Sequence, residues 1–192
     1  VQQVQATERA FAAILRDGSV VTWGHSPRGG DSSSVRDQLK DVQHIQATRG
    51  AFAAILRDET VITWGAGNLG GDSSMVRDQL RTVQQIQSTQ GAFAAILKDG
   101  SVVSWGETSR GGDSSSVRGQ LTYVQEIQAN NGAFAAILCD GSVVTWGAAF
   151  GGGDSSMVRD QLKTVQKIQA SQAAFAAILK NGSVVTWGYA DG

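Results

Sequence analysis

The chain has 192 residues, of which 16 are Lys or Arg and 17 are Asp or Glu, so its formal net charge at pH 7 is -1. This balance lacks the basic excess with which proteins bind nucleic acids or anionic membranes, so we expect neither as a partner. The sequence contains no run of about 20 apolar residues, so no membrane-spanning helix is predicted. No signal peptide is visible either. Cys139 is the only cysteine, so an intramolecular disulfide is excluded and a cytoplasmic location is predicted.

The dominant feature is a repeat with a fixed period of 41 residues. The motif Ala-Phe-Ala-Ala-Ile-Leu begins at Ala10, Ala51, Ala92, Ala133 and Ala174, and Trp-Gly begins at Trp23, Trp64, Trp105, Trp146 and Trp187. A fixed period indicates one supersecondary unit stacked on copies of itself, each using its neighbour as its core. We therefore predict a single repeat domain over 1-192, with units 1-41, 42-82, 83-123, 124-164 and 165-192.

Each unit begins with three predicted strands, which in the first unit are residues 1–7, 10–15 and 20–23. The pair Asp17-Gly18 between the second and third strands is typical of a two-residue type I′ hairpin, which needs positive φ at both central residues. The second unit has Glu59 at the glycine position. Because Glu is disfavoured at positive φ, we expect a looser hairpin or another turn type there.

Both faces of the predicted hairpin are apolar, since Val21 and Trp23 share one face while Val20 lies on the other. Such a sheet has to lie between two others. The alanines permit close approach, and the rings of Phe and Trp fill the gap from the next sheet. We therefore interpret the repeated tryptophans as packing residues and not as ligand-stacking residues.

Polar connectors separate the hairpin units, and we predict a helix of about two turns in each. In the first connector Asp31 is a suitable N-cap, and Val35, Leu39 and Val42 form one apolar stripe at helical spacing. So short a helix is stable only when it is docked on the sheets.

Three-stranded antiparallel units of this length are typical of β-propeller blades. We predict an all-β propeller of five such units, each followed by a short helical connector. The alternative is an open β-solenoid, which columns of identical glutamines would suit. The Asp-Gly hairpins argue against it, because solenoid coils need no such reversals.

The run Asp17-Gly18-Ser19-Val20-Val21-Thr22-Trp23-Gly24, preceded by Ala13-Ile14, resembles the repeat of RCC1-type β-propellers. That family includes the chromosome condensation regulator and HERC-type ubiquitin ligases. The resemblance covers about 24 residues of each unit in all five copies. It implies a propeller that is used for protein recognition.

The chain also departs from the RCC1 pattern. Ala10 replaces the family's usual histidine, and the connector Gly29-Gly30-Asp31-Ser32 replaces its Gly-Gln-Leu-Gly. The unit is shorter than the family's, whose usual blade number is seven. No residue here supports carrying over the nucleotide exchange of particular members.

No arrangement of residues predicts catalysis, a cofactor or a metal site. The two histidines, His25 and His44, occupy non-equivalent positions without a second ligand at suitable spacing. Ser32 to Ser34 have no base nearby in sequence, and Asp31 lacks a second acidic residue at loop spacing. We therefore predict a protein that is not an enzyme.

Two sets of loops vary between copies, and variable loops on a constant scaffold are typical of binding sites. One set follows Trp-Gly, at residues 25–28, 66–69, 107–110 and 148–151, and the other lies at residues 8–9, 49–50, 90–91 and 131–132. Sequence drift in loops that are under no functional constraint would produce the same variation. The candidate partner-binding residues are Arg28, Asn68, Leu69, Arg110 and Phe150.

Three functional hypotheses follow. The first is a protein-interaction or scaffold module that uses the loops on one rim. The second is a multivalent glycan-binding, lectin-like propeller with one weak site per repeat. The third is a structural, self-assembling or designed repeat protein, with self-association expected if the ring is open.

Overall fold

The computed structural model describes residues 1–189 and contains five three-stranded antiparallel sheets. In each sheet the strand order follows the chain, so each repeat unit is one meander. These are the predicted propeller blades, and the antiparallel pairing within each of them overturns the solenoid alternative. Within residues 1–189, no helix has the length and apolar character needed to cross a membrane.

The strands are numbered along the chain. Blade 1 contains β1 (Gln3–Ala6), β2 (Ala10–Ile14) and β3 (Val20–Gly24); blade 2 contains β4 (Val42–Ala47), β5 (Ala51–Leu56) and β6 (Val61–Gly65); blade 3 contains β7 (Val83–Ser88), β8 (Ala92–Leu97) and β9 (Val102–Gly106). Blade 4 contains β10 (Val124–Ala129), β11 (Ala133–Leu138) and β12 (Val143–Gly147), and blade 5 contains β13 (Val165–Ala170), β14 (Ala174–Leu179) and β15 (Val184–Gly188).

The connectors contain short 3-10 helices, so the predicted two-turn helix is wrong in type. Asp31 is not the N-cap; its carboxylate accepts the N–H of Ser33 at 2.9 Å within a tight turn. Leu39 and Val42 are both buried as expected, but Val42 already begins β4, so the apolar stripe spans two elements. The 3-10 helices are Ser26–Arg28, Ser33–Gln38, Gly67–Leu69, Ser74–Val76, Thr108–Arg110, Ser115–Val117, Ala149–Gly151 and Ser156–Gln161.

The hairpin turns also differ from the prediction. The N–H of Gly18 donates to Leu15 O at 3.0 Å, and the N–H of Leu15 donates to Ser19 O at 2.8 Å. Within this turn only Gly18 has positive φ, at 79°. The connection is therefore a three-residue loop that ends in a left-handed glycine, and not a two-residue type I′ turn.

The turn at Glu59 keeps this same geometry, so the expectation of another turn type is wrong. Glu59 has a φ of 67°, and its N–H donates to Leu56 O at 2.9 Å. Its carboxylate also forms an ion pair with Lys98 of the next blade. The flanking strand pairing imposes the left-handed conformation on a residue that disfavours it.

The core lies between the blades, as the doubly apolar sheets predict. Phe52 and Trp64 of blade 2 stack on each other with centroids 5.1 Å apart. They pack against blade 1 in one apolar cluster that includes Ala12 and Ile14. The same contact recurs between blades 2 and 3, 3 and 4, and 4 and 5. Four equivalent cores therefore hold the five blades together in chain order.

A hydrogen bond completes each of these contacts. The indole Nε1–H of Trp64 donates to the carbonyl of Gly29 in the preceding connector, at 3.1 Å. Gly29 has a φ of 93°, and a Cβ on it would lie 2.6 Å from the ring of Phe52. Only glycine satisfies both constraints, which explains its recurrence at this position.

Blades 2, 3 and 4 each lie between two neighbours, whereas blade 1 and blade 5 each have one covered face. The five blades therefore form an open arc and not a closed five-bladed ring. The first strand of each blade contacts the first strand of the next, so these strands lie innermost.

Candidate functional site

The two sets of variable loops lie together at one end of the blades. Each loop after a third strand is bonded to the turn between the first two strands; the N–H of His25 donates to Arg9 O at 2.8 Å, for example. We call this surface the loop face. It comprises residues 8–9, 25–28, 49–50, 66–69, 90–91, 107–110, 131–132, 148–151 and 172–173.

The backbone of the loop face repeats the same geometry in each blade although its side chains vary. Each loop after a third strand forms one 3-10 turn and then a left-handed glycine, such as Gly111 with a φ of 92°. That glycine packs directly against the ring of the buried phenylalanine of the next blade. Variable side chains are thus presented from fixed positions, an arrangement that lowers the entropy cost of binding.

The structure places four of the five predicted partner-binding residues at the surface of the loop face. Asn68 is exposed, and Phe150 is 71% exposed, which is unusual for so large an apolar side chain. Arg28 and Arg110 are half-buried.

The structure corrects the prediction that Leu69 binds a partner. It is 2% exposed and belongs to the core between blades 2 and 3. One of its methyl carbons lies 2.8 Å from where a Cβ on Gly50 would be, so the side chain covers that glycine. Leu69 therefore cannot contact a partner, and we remove it from the candidate set.

An ion-pair network connects the loops of neighbouring blades. The carboxylate of Glu107 lies 3.0 Å from Arg110 Nε and 3.9 Å from Arg49 Nη2. Arg110 also donates to Gln90 Oε1 at 3.2 Å and to Asn131 O at 3.1 Å. The network holds Arg110 in place and spans blades 2 to 4.

Sequence reasoning placed Arg49, Gln90 and Glu107 in the variable loops but did not select them as site residues. Arg49 and Gln90 are the eighth residues of their units, and Glu107 is the twenty-fifth residue of its unit. Only the fold brings these two positions together. The signal available in the sequence was their variation between copies in a repeat of constant length.

The loop face holds every buried side-chain nitrogen or oxygen that has no hydrogen-bond partner among residues 1–189. These atoms are Arg28 Nη1, Arg49 Nε, Glu107 Oε2 and Arg110 Nε. The last two face each other as an ion pair, which leaves Arg28 and Arg49 with unused donors. Buried donors without acceptors are rare in folded proteins and need an explanation.

The loop face carries an excess of positive charge. It contains four arginines (Arg9, Arg28, Arg49 and Arg110) and two glutamates (Glu8 and Glu107). Four positive charges exceed two negative charges by two. The whole chain has a net charge of -1. Positive charge is therefore concentrated on this face.

The loop face borders a cavity of about 590 Å³ on the inner side of the arc. The cavity is lined by small and polar residues from all five blades, among them Thr48, Gln90 and Asn131. Arg49 borders both this cavity and the ion-pair network.

A second kind of concave site lies between neighbouring connectors. A groove of about 410 Å³ contains Asp31, Gln38, Asp72 and Arg77, and an equivalent groove of about 350 Å³ lies between blades 3 and 4. Backbone N–H groups hold the pKa of Asp31 and of Asp72 below the usual value, so both carboxylates are charged at neutral pH. Trp64 borders the first groove but is 3% exposed, so it offers no open ring face.

Solved structures with the same architecture are found at low sequence identity. Human WBSCR16 is 16% identical, with a TM-score of 0.59, over 98% of this chain and 61% of its own. Prp20p from Saccharomyces cerevisiae, also called yeast RCC1, is 18% identical with a TM-score of 0.62, over 98% of this chain and 58% of its own. The receptor kinase CR4 ectodomain from Physcomitrella patens is 14% identical with a TM-score of 0.62, over 98% and 52%.

These similarities establish the propeller fold, with RCC1-like propellers among its neighbours. The chain spans about half to three fifths of the length of these structures. No protein-family model matches the chain, and no curated protein matches it in sequence. Two of the solved structures concern binding: Prp20p is described with Gsp1p and histones, and in a complex with Kap60.

Proposed function

We propose that this chain is a non-enzymatic, RCC1-like protein-interaction module that holds its partner on the loop face. The observation that carries the proposal is the excess of positive charge on the loop face, where Arg28, Arg49 and Arg110 are each partly exposed. A partner that supplies carboxylate or carbonyl oxygens would pair with the exposed parts of these side chains. Arginine is enriched at protein interfaces because its planar fork binds such groups with defined geometry.

The chemistry of the loop face favours an acidic partner segment with an apolar or aromatic anchor. The excess of positive charge attracts acidic residues and raises the rate of encounter. Phe150, which is 71% exposed, offers an aromatic surface to one side of the arginines. Aromatic and arginine side chains supply most of the binding energy in typical interfaces.

The structural neighbours add support of a general kind. Prp20p shares the fold and is described as binding proteins. The single free cysteine, Cys139, is exposed, and it accords with a cytoplasmic site of action.

A peptide-display library tests this proposal because it presents many partner sequences to the loop face at once. We expect selection on the full chain to return acidic sequences with an aromatic or apolar residue. The combined substitution Arg28→Gln, Arg110→Gln and Phe150→Ser is expected to weaken the selected peptides by about a hundredfold, since each residue contributes about 1 kcal/mol or more.

A matched control carries Arg16→Gln, Arg57→Gln and Met157→Ser, all at exposed positions away from the loop face. It removes the same number of charges and one exposed apolar side chain. We expect unchanged peptide affinity and an unchanged unfolding temperature in this control. Equal loss of affinity in both triple variants would contradict the loop face as the binding site.

The grooves between connectors favour glycan binding as a second candidate function. They recur at equivalent positions and combine carboxylate, amide, hydroxyl and guanidinium groups, which suit sugar hydroxyls. The lack of an open tryptophan face weighs against it, as aromatic stacking is the usual complement. A glycan array probed with the full chain and with Asp72→Asn tests it, and reproducible signals that this substitution removes would support it.

A further inference from the structure

The outer strand of blade 2, β6, borders an open groove along its whole length. In each sheet of residues 1–189 the third strand pairs with the second strand only, so one of its edges is unpaired. All five residues of β6, Val61 to Gly65, line the groove of about 410 Å³ between the first two connectors. Every residue that lines this groove lies between residues 26 and 77, at a junction inside the chain.

The unpaired edge of β6 carries backbone groups without hydrogen-bond partners. In an antiparallel pair, alternate residues bond to the neighbouring strand, and the residues between them point away from it. The bond from Leu56 N–H to Thr60 O, at 3.0 Å, sets this alternation in the hairpin of blade 2. Val61 and Thr63 therefore direct their N–H and C=O groups outward. Within residues 1–189, none of these four groups has a partner.

The side chain of Thr63 does not close this edge. Its hydroxyl donates to Gly71 O at 3.1 Å and lies 3.0 Å from Ser73 Oγ, so it is bonded to the connector that follows β6. The groove does close at the far end of the strand, where a Cβ on Gly71 would lie 2.6 Å from Gly65 O. The accessible part of the edge is therefore the stretch that contains Val61 and Thr63.

The groove continues beyond the start of β6. A second cavity, of about 550 Å³, shares Gln38, Val61, Ile62 and Arg77 with the first, so the two adjoin. We call the two cavities together the edge groove. The five residues of β6 span about 17 Å at about 3.4 Å per residue. The edge groove therefore has the length of an extended segment of about six residues.

The edge groove is acidic, in contrast to the loop face. Four carboxylates and two guanidinium groups line it: Asp31, Asp58, Asp72 and Asp78, with Arg77 and Arg81. Hydrogen bonds from the residue two positions further along lower the pKa of Asp31, Asp58 and Asp72, so these groups are charged at neutral pH. Four negative charges exceed two positive charges by two, and this excess favours a basic ligand.

We propose that the edge groove binds an extended basic segment of a partner protein, which adds to blade 2 as a fourth strand. The backbone of the segment pairs with Val61 and Thr63, and its lysine or arginine side chains meet the surrounding carboxylates. Strand addition to an exposed sheet edge is a recurring mode of peptide recognition. The regular spacing of the free backbone groups favours a polypeptide over a glycan in this groove. The proposal does not rest on the loop face.

Three synthetic seven-residue peptides serve as probes of the full chain. One alternates lysine with valine, the second alternates glutamate with valine, and the third is the lysine peptide with a methylated backbone. We expect the lysine peptide to bind in the edge groove. The other two should bind there at least about tenfold more weakly, because the second is repelled and the third lacks backbone donors. A lysine peptide that does not bind would overturn the proposal.

Amide hydrogen exchange measured by NMR locates the bound peptide on β6. In the free chain the amides of Ile62 and Trp64, which face β5, should exchange slowly, and those of Val61 and Thr63 faster. The lysine peptide should slow the exchange of Val61 and Thr63 at least about tenfold, because it supplies their missing acceptors. Binding without protection of Thr63 would overturn the proposal.

A proline substitution tests the same backbone group by mutation. Thr63→Pro removes the outward N–H and no bond to β5, and proline is tolerated where the nitrogen of an edge strand faces outward. Thr63→Val is the matched control, since it removes the hydroxyl but keeps the N–H. We expect about tenfold weaker binding of the lysine peptide by Thr63→Pro than by Thr63→Val. Equal affinities would contradict strand addition.

Circular dichroism checks that the proline variant folds. If it does not, the double variant Asp31→Asn and Asp72→Asn tests the groove instead, and we expect it to bind the lysine peptide several times more weakly. An unchanged affinity in that variant would overturn the proposal.

Two further measurements separate this site from the functions proposed above. The combined loop-face substitution Arg28→Gln, Arg110→Gln and Phe150→Ser should leave the affinity for the lysine peptide unchanged. An equal loss there would place the peptide on the loop face and overturn the edge groove. A glycan that displaces the lysine peptide and leaves the Thr63 amide unprotected would assign the groove to sugars, and that also overturns the proposal.

Discussion

Blade 3 and blade 1 have nearly the same strand sequences but different surroundings. In blade 3, Phe93 and Trp105 are 0% and 4% exposed, whereas the equivalent Phe11 and Trp23 of blade 1 are 44% and 46% exposed. The stack itself is the same, with centroid distances of 5.2 and 5.3 Å. The geometry of the stack is therefore determined within one blade, whereas the stability gained by burying the stack depends on the adjacent blade.

The largest expected difference concerns the phenylalanines. Phe93→Ala should lower the free energy of unfolding by about 3–5 kcal/mol, because it opens a cavity between two blades. Phe11→Ala should cost about 1 kcal/mol or less, since its ring is already half in solvent. Urea unfolding of the two variants measures both values. Equal losses would show that a neighbour covers Phe11 in solution.

A smaller difference is expected between two left-handed glycines. A Cβ on Gly70, where φ is 95°, would lie 2.5 Å from the ring of Phe93, whereas a Cβ on Gly182, where φ is 82°, meets no atom within 4 Å. Both alanine substitutions cost about 1 kcal/mol for the backbone conformation. Gly70→Ala should cost about 1–3 kcal/mol more, because the ring has to move.

Thermal unfolding of these two glycine variants separates steric clash from backbone strain. If Gly182→Ala is as destabilising as Gly70→Ala, the recurring glycine would be explained by its φ alone, without the close approach of the ring.

The indole hydrogen bond allows a finer comparison. Trp64→Phe leaves the carbonyl of Gly29 without its donor inside a buried junction, and this should cost about 1–2 kcal/mol beyond the change in ring size. Trp23→Phe should lack that extra cost, because Trp23 has no equivalent acceptor among residues 1–189. The difference between the two unfolding free energies in urea isolates the bond.

The smallest expected effect is the response of the hairpins to pH. Hydrogen bonds from Ser19, first from its hydroxyl and then from its N–H, lower the pKa of Asp17 from 3.8. Blade 5 has Asn181 at this position, which accepts the same bonds without titrating. A lowered folded-state pKa stabilises the protein above the unfolded pKa, and this contribution is lost as the pH falls through the folded value.

Asn181→Asp should therefore add a small acid-labile contribution in the last blade. We expect the difference in stability between the variant and the unmodified chain to be constant near neutral pH and to shift against the variant below 3.8. Urea unfolding at a series of pH values measures it. A difference that does not change with pH would show that the aspartate bonds are absent in solution.

Much of the fold was predictable because the sequence repeats its constraints five times. The apolar runs on either side of Asp17-Gly18 and its equivalents predicted the hairpin strands, and two apolar faces per sheet required a neighbour on each side. The hairpin at Gly18 was predicted in place but not in type, since Asp-Gly is compatible with more than one turn and the strand register decides between them. Glu59 adopts a left-handed backbone conformation, which glutamate disfavours, because the register of the flanking strands requires it.

The loop face was less predictable, because variation does not distinguish a surface side chain from one that covers a neighbour. Leu69 occupies the position of Arg28 and Arg110, and all three side chains pass over a small residue of the adjacent turn. The arginine side chains stay partly exposed, while the leucine side chain is almost completely covered. The position alone therefore gave no measure of exposure.

The indole bond has a consequence for synthesis on the ribosome. Each acceptor glycine precedes its tryptophan by 35 residues, as Gly29 precedes Trp64. Every newly made blade thus finds its docking surface in chain that has already emerged. We expect folding to advance along the chain one blade at a time, with each new blade docking on the one made before it.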